Sequence, residues 1–218
     1  MPARIIPTSS TSTSPTASRL SADQSATGLV RRVRRSPSAW RTSSAPDLWP
    51  RLVIHNGAGI SALAVGDISA ARAHLEAAIQ AAEALGVPNL IVLGNLADVQ
   101  RAERDFDGAR CGFQDVLRMA RRTDDKYALA NAILGLGCLA ADQGDWHRAA
   151  MLYGAEHALV DQIGYRWNPF DARRRQENLD QARAVLGDEQ LHQAYTRGKA
   201  LSFDQAIDLA LEDSLPAT

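Results

Sequence analysis

The chain has 218 residues, of which 45% are hydrophobic and 22% are charged, and its formal net charge is −1. This composition is typical of a globular protein of one or two domains. No apolar stretch approaches the roughly 20 residues of a membrane span, and the N-terminus lacks the apolar core of a signal peptide. We therefore expect a cytoplasmic protein. The two cysteines lack C-x-x-C spacing, so neither a disulfide nor a metal pair is expected.

The first fifty residues form a segment of distinct composition. They hold eleven Ser, six Thr and six of the nine prolines, with seven Arg and two Asp. No apolar period survives across this segment, so we predict a disordered tail over residues 1–50. Its basic cluster, residues 31–35, has neither interleaved aromatics nor a helix period, so direct nucleic-acid binding is not predicted. A misassigned start or a shifted reading frame stays open as the origin of this segment.

A periodic pattern follows the tail. Three times a turn ends in an aspartate, with a bulky residue next, an alanine four residues after the aspartate and a second bulky residue four further on. The aspartates are Asp67, Asp105 and Asp145, spaced by 38 residues (105 − 67) and 40 residues (145 − 105). Such self-similarity is typical of stacked helical hairpins. It predicts three hairpins over residues 51–164.

The helix boundaries follow from capping residues. Gly66 can end the first helix and Asp67 can cap the second, which Gly86-Val87-Pro88 then stops. Arg104-Asp105 and Gly144-Asp145 predict the equivalent turns in the second and third hairpins, and the third hairpin ends at Gly164.

Small residues are expected where the two helices of each hairpin cross. They are Gly59, Ala97 and Gly137 on the first helices and Ala71, Ala109 and Ala149 on the second helices. Bulky residues at Leu75, Phe113 and Tyr153 are expected to fill the gaps between hairpins.

The last segment, residues 165–218, is predicted to form a helical cap. Asn168-Pro169 is typical of a helix start, and Gly187 is expected to end that helix. Asp188 is expected to cap a short helix to Gly198. Ser202 with Gln205 three residues later forms a capping box for a final helix.

The repeat residues resemble the tetratricopeptide repeat. Leu136-Gly137, Gly144-Asp145-Trp146, Ala149 and Tyr153 match its pattern well, whereas the second copy has Ala97 and Arg104 where glycines are usual. The resemblance implies an all-α superhelix of hairpins that binds other proteins. An ordinary helical bundle with coincidental spacing is the alternative.

A second resemblance involves the C-terminal segment. The runs 184–187, 194–195 and 198–202, together with residues 153–156, are similar to the C-terminal end of the large LuxR-type and related ATP-binding regulators of bacteria. In these regulators a tetratricopeptide arm senses a ligand or partner and gates an ATPase. The chain has no G-x-x-x-x-G-K-[ST] phosphate loop and no recognisable DNA-reading helix-turn-helix. The resemblance therefore implies a sensing arm alone, as from a truncated or split gene whose leading repeats are missing.

No catalytic, cofactor-binding or metal-binding constellation stands out. None of the five histidines has a metal-binding spacing, and Glu156 and His157, as neighbours on a helix, point to different faces. We therefore expect a non-enzyme without a cofactor. If the stack binds a partner, its first helices should line the concave face, and the expected contacts there are Asn56, Asp98, Arg101, Asn131 and Asp142, with Ile60, Leu63 and Cys138 also exposed.

The sequence thus favours a non-catalytic interaction module with a protein or peptide partner. An apolar end at Val53, Ala58 and Leu63 favours pairing with another chain. Two alternatives stay open: a small-molecule sensor with its ligand inside the superhelix, and a gene remnant without function.

Overall fold

A computed structural model of the chain describes residues 45–212, and this part is all-α, as predicted. No strand occurs between residues 45 and 212. The predicted disorder of residues 1–44 lies outside the described residues. The helices are α1 (Ala45–Ala64), α2 (Ile68–Leu85), α3 (Leu90–Ala102), α4 (Phe106–Thr123), α5 (Lys126–Asp142), α6 (Trp146–Ile163), α7 (Pro169–Lys199) and α8 (Phe203–Leu211).

The first helix begins earlier than the composition predicts. Residues 45–50, which the sequence assigns to the tail, form the first turns of α1. Asp47 lies in the first turn, where a negative charge suits the helix dipole. Leu52 lies just beyond and is only 1% exposed, so the packing of α1 against its neighbours extends into this region.

The aspartates of the repeat all act as N-caps, which confirms the predicted helix starts. Asp67 accepts a hydrogen bond from the backbone N–H of Ala70, and Asp105 and Asp145 do the same for the residues three positions on. Each bond satisfies one of the free N–H groups of a helix start, a contribution of about 1 kcal/mol.

The residue before each of these caps has a left-handed backbone. Gly66 has φ 81° and Gly144 has φ 79°, and Arg104 takes φ 65° at the equivalent place. Glycine adopts this conformation without a steric penalty, whereas a residue with a Cβ pays about 1–2 kcal/mol. The substitution of Arg104 for the usual glycine therefore leaves the turn intact but strained.

Small residues let the helices of each hairpin approach closely. A Cβ atom added to Gly59 would lie 2.6 Å from Cγ of Leu75, and one on Gly137 would lie 2.7 Å from the ring of Tyr153. Ala71, Ala109 and Ala149 are fully buried, as expected. Leu75 and Tyr153 thus face the small residue of their own hairpin.

Phe113 alone of the three equivalent bulky residues is seen to bridge hairpins through a glycine. A Cβ atom on Gly135, in the next hairpin, would lie 2.2 Å from the Phe113 ring. The absence of a side chain at Gly135 therefore lets the Phe113 ring of α4 pack directly against the backbone of α5.

The C-terminal segment closes over the third hairpin. The helical span of α7 is interrupted at Gly187, whose φ of 78° and ψ of 163° are not helical, so the predicted break is confirmed. Asn168 caps the start of α7, and Ser202 and Gln205 form the predicted capping box of α8. α8 packs on α4, α5 and α6, with Ile207 fully buried.

Candidate functional site

The inner face of the hairpins carries a connected group of charged side chains from α3, α5 and α7. Asp98 lies 2.7 Å from Arg174 and 3.1 Å from Arg101, which in turn reaches Asp142 at 2.5 Å. Asp171 lies 3.1 Å from Arg174. We call Asp98, Arg101, Asp142, Asp171 and Arg174 the inner polar cluster.

Burial makes the inner polar cluster electrostatically strong. Burial alone would raise the pKa of Asp98, but Arg174 and Arg101 outweigh it and hold that pKa below its usual value. Burial opposes the charges of Arg101 and Arg174, yet Asp98 raises the pKa of both guanidiniums. Burial raises the pKa of Asp171 despite the nearby Arg174. The oppositely charged side chains of the inner polar cluster therefore form ion pairs with one another.

The prediction that the concave face is exposed was wrong for three of its residues. Asp98, Asn131 and Cys138 were expected to be exposed, but their exposed fractions are 6%, 8% and 0%. The reason for Asp98 is α7, whose Arg174 reaches into the inner face and pairs with it. A partner therefore does not find these side chains free.

The two predicted asparagine contacts have different environments. Asn56 is half-buried and accepts a 2.9 Å hydrogen bond from Asn95, which joins the first and second hairpins. Asn131 stands beside Gly94, where a Cβ atom would lie 2.7 Å from its Oδ1. Asn131 Oδ1 and Arg174 Nε are buried without a hydrogen-bond partner among the described residues.

Five expected contacts thus divide into two groups. Asp98, Arg101 and Asp142 meet in the inner polar cluster, whereas Asn56 and Asn131 lie apart from it in the hydrogen-bonding pattern. Sequence reasoning missed Arg174 and Asp171. The available signal was the run of three arginines, residues 173–175, in the first turns of a helix that was predicted only as a cap.

A second buried network fixes α7 to α6. Glu156 is 1% exposed and pairs at 2.7 Å with Arg175, and it also accepts a hydrogen bond from the indole N–H of Trp167. Arg175 further donates to the hydroxyl of Tyr195 at 2.8 Å. His157 contacts the same Tyr195 hydroxyl, so Glu156 and His157 do not bond each other but are linked through Arg175 and Tyr195.

Two glycines bring the backbones of α6 and α7 into contact. A Cβ atom on Gly198 would lie 1.9 Å from the carbonyl oxygen of Met151, and one on Gly154 would lie 2.1 Å from that of Tyr195. Both glycines belong to the runs that carry the resemblance to bacterial regulators. Glycine is required at both positions because the two backbones approach so closely that no side chain fits between the helices.

Sequence reasoning also missed a pair of histidines. Nδ1 of His55 on α1 lies 3.0 Å from Nδ1 of His74 on α2. Within residues 45–212, no group of three or more His, Cys, Asp or Glu side chains is arranged to hold a metal ion. The pair joins the two helices of the first hairpin.

Four of the five exposed large apolar side chains in residues 45–212 lie on the outer side of α1 or directly after its end. The exposed fractions are 58% for Trp49, 54% for Val53, 66% for Ile54 and 81% for Val65. Gly57 lies between them, and a Cβ atom there would meet nothing within 4 Å. We call Trp49, Val53, Ile54, Gly57 and Val65 the α1 face.

Gly57, at the centre of the α1 face, has an equivalent residue in the third hairpin. Asp67 and Asp145 are equivalent caps 78 residues apart (145 − 67), and the same offset relates Gly57 to Gly135. Gly135 receives the ring of Phe113 from the preceding hairpin, whereas Gly57 has open space. Among the described residues, Gly57 and Gly135 thus hold equivalent positions in the repeat, but a neighbouring side chain reaches only Gly135.

A cavity of about 360 Å³ lies between α6, α8 and the turn that joins α7 to α8. Most of its lining is apolar, with Ile133 and Phe203 at its sides and Ala155 and Gln162 along α6. Its volume is within the range of small-molecule sites.

Comparison with known proteins adds no family to these observations: no family model, no curated protein and no solved structure matches the chain. In the part of the chain that the structure describes, none of the helices has the length and apolar character to cross a membrane.

Proposed function

We propose that the chain is a non-catalytic interaction module of tetratricopeptide-like hairpins, which docks a helical partner on the α1 face. The observation that carries this proposal is the equivalence of Gly57 and Gly135. In the third hairpin this position takes a bulky side chain from a neighbouring hairpin, and in the first hairpin it is open. A helix that is apolar on both sides is normally covered on both sides.

The inner face is a poorer docking surface than the α1 face. Its strongest charged groups already pair with one another through Arg174 of α7. A partner would have to displace a buried ion pair, and the separation of such a pair costs several kcal/mol. A partner on the α1 face would not have to break an ion pair, since the exposed side chains of this face are apolar.

The biological setting follows from the resemblance. We propose that the module works in the cytoplasm as the counterpart of the sensing arm of ATP-binding regulators, and that it docks on a separate regulator chain. Gly154 and Gly198 support this assignment, because the residues that carry the resemblance are those that bring α6 and α7 into backbone contact.

Affinity capture in the native host tests the proposal. Gly57→Glu places a charge at the centre of the α1 face, and we expect it to abolish recovery of a protein that the unaltered chain retains. Ser69→Glu is the matched control, because Ser69 is exposed on α2 outside this face. Circular dichroism checks that both variants keep their helical content. Equal recovery by both variants would contradict the proposal.

The cavity beside α8 favours a second candidate, a small-molecule sensor. A ligand of the right size would bind between α6 and α8, and a screen of metabolites by thermal shift would find it as a rise in melting temperature. Ala155→Leu, which fills the cavity from α6, should remove that rise. Persistence of the rise in Ala155→Leu would place the ligand elsewhere and rule out this site.

A further inference from the structure

We propose that the partner of the α1 face is a second copy of this chain, with the two α1 helices antiparallel and crossing at Gly57. The inference rests on the proposed function, because it names the helix that the α1 face receives. It is carried by the symmetry, the charge and the small central residue of α1.

The central residue permits the crossing. In a two-fold arrangement the residue at the axis meets its own copy, so that residue has to be small for two backbones to approach. Gly57 is exposed and has no neighbour near its Cβ position. Gly135 shows that the equivalent position supports close packing inside the fold, where it accepts the Phe113 ring.

The apolar residues are balanced about this centre. Trp49 and Val65 each stand eight residues from Gly57 (57 − 49 and 65 − 57), and Ile54 and Ile60 each stand three residues away (57 − 54 and 60 − 57). In an antiparallel pair, Trp49 of one copy therefore lies level with Val65 of the other, and Ile54 lies level with Ile60. The contacts repeat on both sides of the axis, as an isologous interface requires.

The charge distribution fits an identical partner. Two copies of one face carry the same charges, so a charge near the axis would repel its own copy. Between Trp49 and Val65 the one such charge is Arg51, six residues from Gly57 (57 − 51), and residues 52–65 contain no Asp, Glu, Lys or Arg. The hydroxyl of Ser61, on the same side of the helix, donates to the carbonyl of Gly57 at 2.9 Å, so its donor is already used.

The chain's own N-terminal segment is a poor alternative occupant. Residues 1–44 contain eleven Ser, six Thr and seven Arg, and their apolar residues follow no helical period. Their sequence therefore offers no apolar stripe that matches the α1 face, whereas α1 itself supplies one in every copy.

Sedimentation equilibrium of the full chain tests the proposal over chain concentrations from about 1 to about 100 µM, the range in which a micromolar Kd is measured. We expect a species of twice 23.5 kDa to accumulate as the concentration rises. Gly57→Glu should shift the dissociation constant upward by at least about tenfold, and Ser69→Glu should leave it unchanged. A chain that stays monomeric to the highest concentration overturns the proposal.

Cysteine cross-linking tests the register independently. In a Cys111→Ser background, which removes the exposed native thiol, Gly57→Cys should form an intermolecular disulfide under mild oxidation. Val65→Cys is the control, because residue 65 lies level with residue 49 of the other copy and far from its own counterpart. Cross-linking of Val65→Cys as readily as Gly57→Cys would overturn the antiparallel arrangement.

The same measurements separate this inference from the proposed function. A monomeric chain whose capture of another protein still depends on Gly57 contradicts the second-copy partner alone and leaves the docking face in place. A dimer that Gly57→Glu does not weaken also contradicts the second-copy partner, since the chains would then associate through another surface. Equal recovery by Gly57→Glu and Ser69→Glu in the capture experiment is the result that contradicts the docking face.

Discussion

The two ends of the hairpin stack differ in how far they are covered by other helices. At the C-terminal end, α7 covers the third hairpin through the Glu156–Arg175 ion pair and through glycines that leave no room for a side chain. At the N-terminal end, α1 exposes Trp49, Val53 and Ile54, and its glycine has open space around it. Among the described residues, the stack is thus covered by α7 at one end and exposes apolar side chains at the other.

The difference shows that glycine on a helix can have two opposite roles. Gly198 is needed because a carbonyl oxygen of α6 occupies the space of its Cβ atom. A Cβ atom on Gly57 would meet no atom of the described residues within 4 Å, so this glycine lowers helix stability and no close approach among those residues offsets the loss. The outer side of α1 carries apolar side chains, whereas the terminal units of repeat proteins have polar outer faces.

The largest effect is expected from the ion pairs that tie α7 to the inner face. Asp98→Asn leaves Arg174 and Arg101 without their main partner, and removal of one member of a buried pair costs about 3–5 kcal/mol. Asp142→Asn is the control, because Asp142 is 33% exposed and its pair should contribute no more than about 1 kcal/mol. Urea unfolding at neutral pH measures both, and equal losses would contradict the closed inner face.

Asp98 also predicts a pH dependence. Its pKa is lower in the folded chain than usual, so its contribution to stability is complete above the usual value and is lost as the pH falls through the folded-state pKa. The loss therefore belongs below about pH 4. The raised pKa of Asp171 acts with the opposite sign and at higher pH, because its contribution to stability grows as the pH falls from its folded-state pKa towards the usual value. Asp98→Asn should flatten the loss of stability below about pH 4, as measured by unfolding free energies at several acidic pH values.

A pair of glycine substitutions compares the two ends directly. Gly198→Ala should destabilise the fold by about 3 kcal/mol, because the new Cβ atom would overlap the carbonyl of Met151. Gly57→Ala should stabilise α1 by about 0.5–1 kcal/mol, because alanine favours a helix and meets nothing here. Denaturant unfolding at low chain concentration checks both. Equal signs for the two substitutions would show that the ends are alike.

Substitutions of two alanines on α6 test how tightly the C-terminal end of the stack is packed. Ala149→Leu should cost about 1–3 kcal/mol, because Ala149 is fully buried where the helices of the third hairpin meet. Ala155 is also buried, but it lines the cavity beside α8, so Ala155→Leu should cost less than about 1 kcal/mol. Melting curves of the two variants provide the comparison, and equal shifts would contradict this register of α6.

The smallest effect is expected at the turn of the second hairpin. Arg104→Gly removes the strain of a left-handed arginine but also loses its contact with the Phe106 ring at 5.1 Å, so a net gain of about 0.5 kcal/mol is expected. Gly144→Arg should lose about 1 kcal/mol at the equivalent place. A loss for Arg104→Gly would mean that the arginine has a role beyond the turn.

Local signals predicted the elements of the fold well. Asp67, Asp105 and Asp145 cap their helices because a side-chain oxygen three residues ahead of a free N–H is a local arrangement that sequence spacing defines. Gly187 breaks α7 for an equally local reason. The start of α1 was misplaced because composition, rather than the packing of Leu52, set the predicted boundary.

The inner face could be predicted only in part. The spacing of first helices placed Asp98, Arg101 and Asp142 on one side of the stack, where they meet. Their burial depends on Arg174, which is 76 residues from Asp98 in the chain and comes from a helix whose position no local signal encodes. The exposure of α1 was predicted in part: Val53 was expected at an uncovered end and is 54% exposed, whereas Ala58 and Leu63, expected there too, are half-buried.

The most direct measurement adds the hairpin that the α1 face lacks. A copy of residues 86–124, inserted between Pro46 and Asp47, places the copied Phe113 22 residues before Gly57, the distance that separates Phe113 from Gly135 (135 − 113). If the α1 face accepts a helix as α5 does, the added hairpin should stack on it and raise the melting temperature. The rise should be lost when the copied phenylalanine becomes alanine. An insertion that leaves the melting temperature unchanged or lowers it, with or without the aromatic ring, would contradict the account.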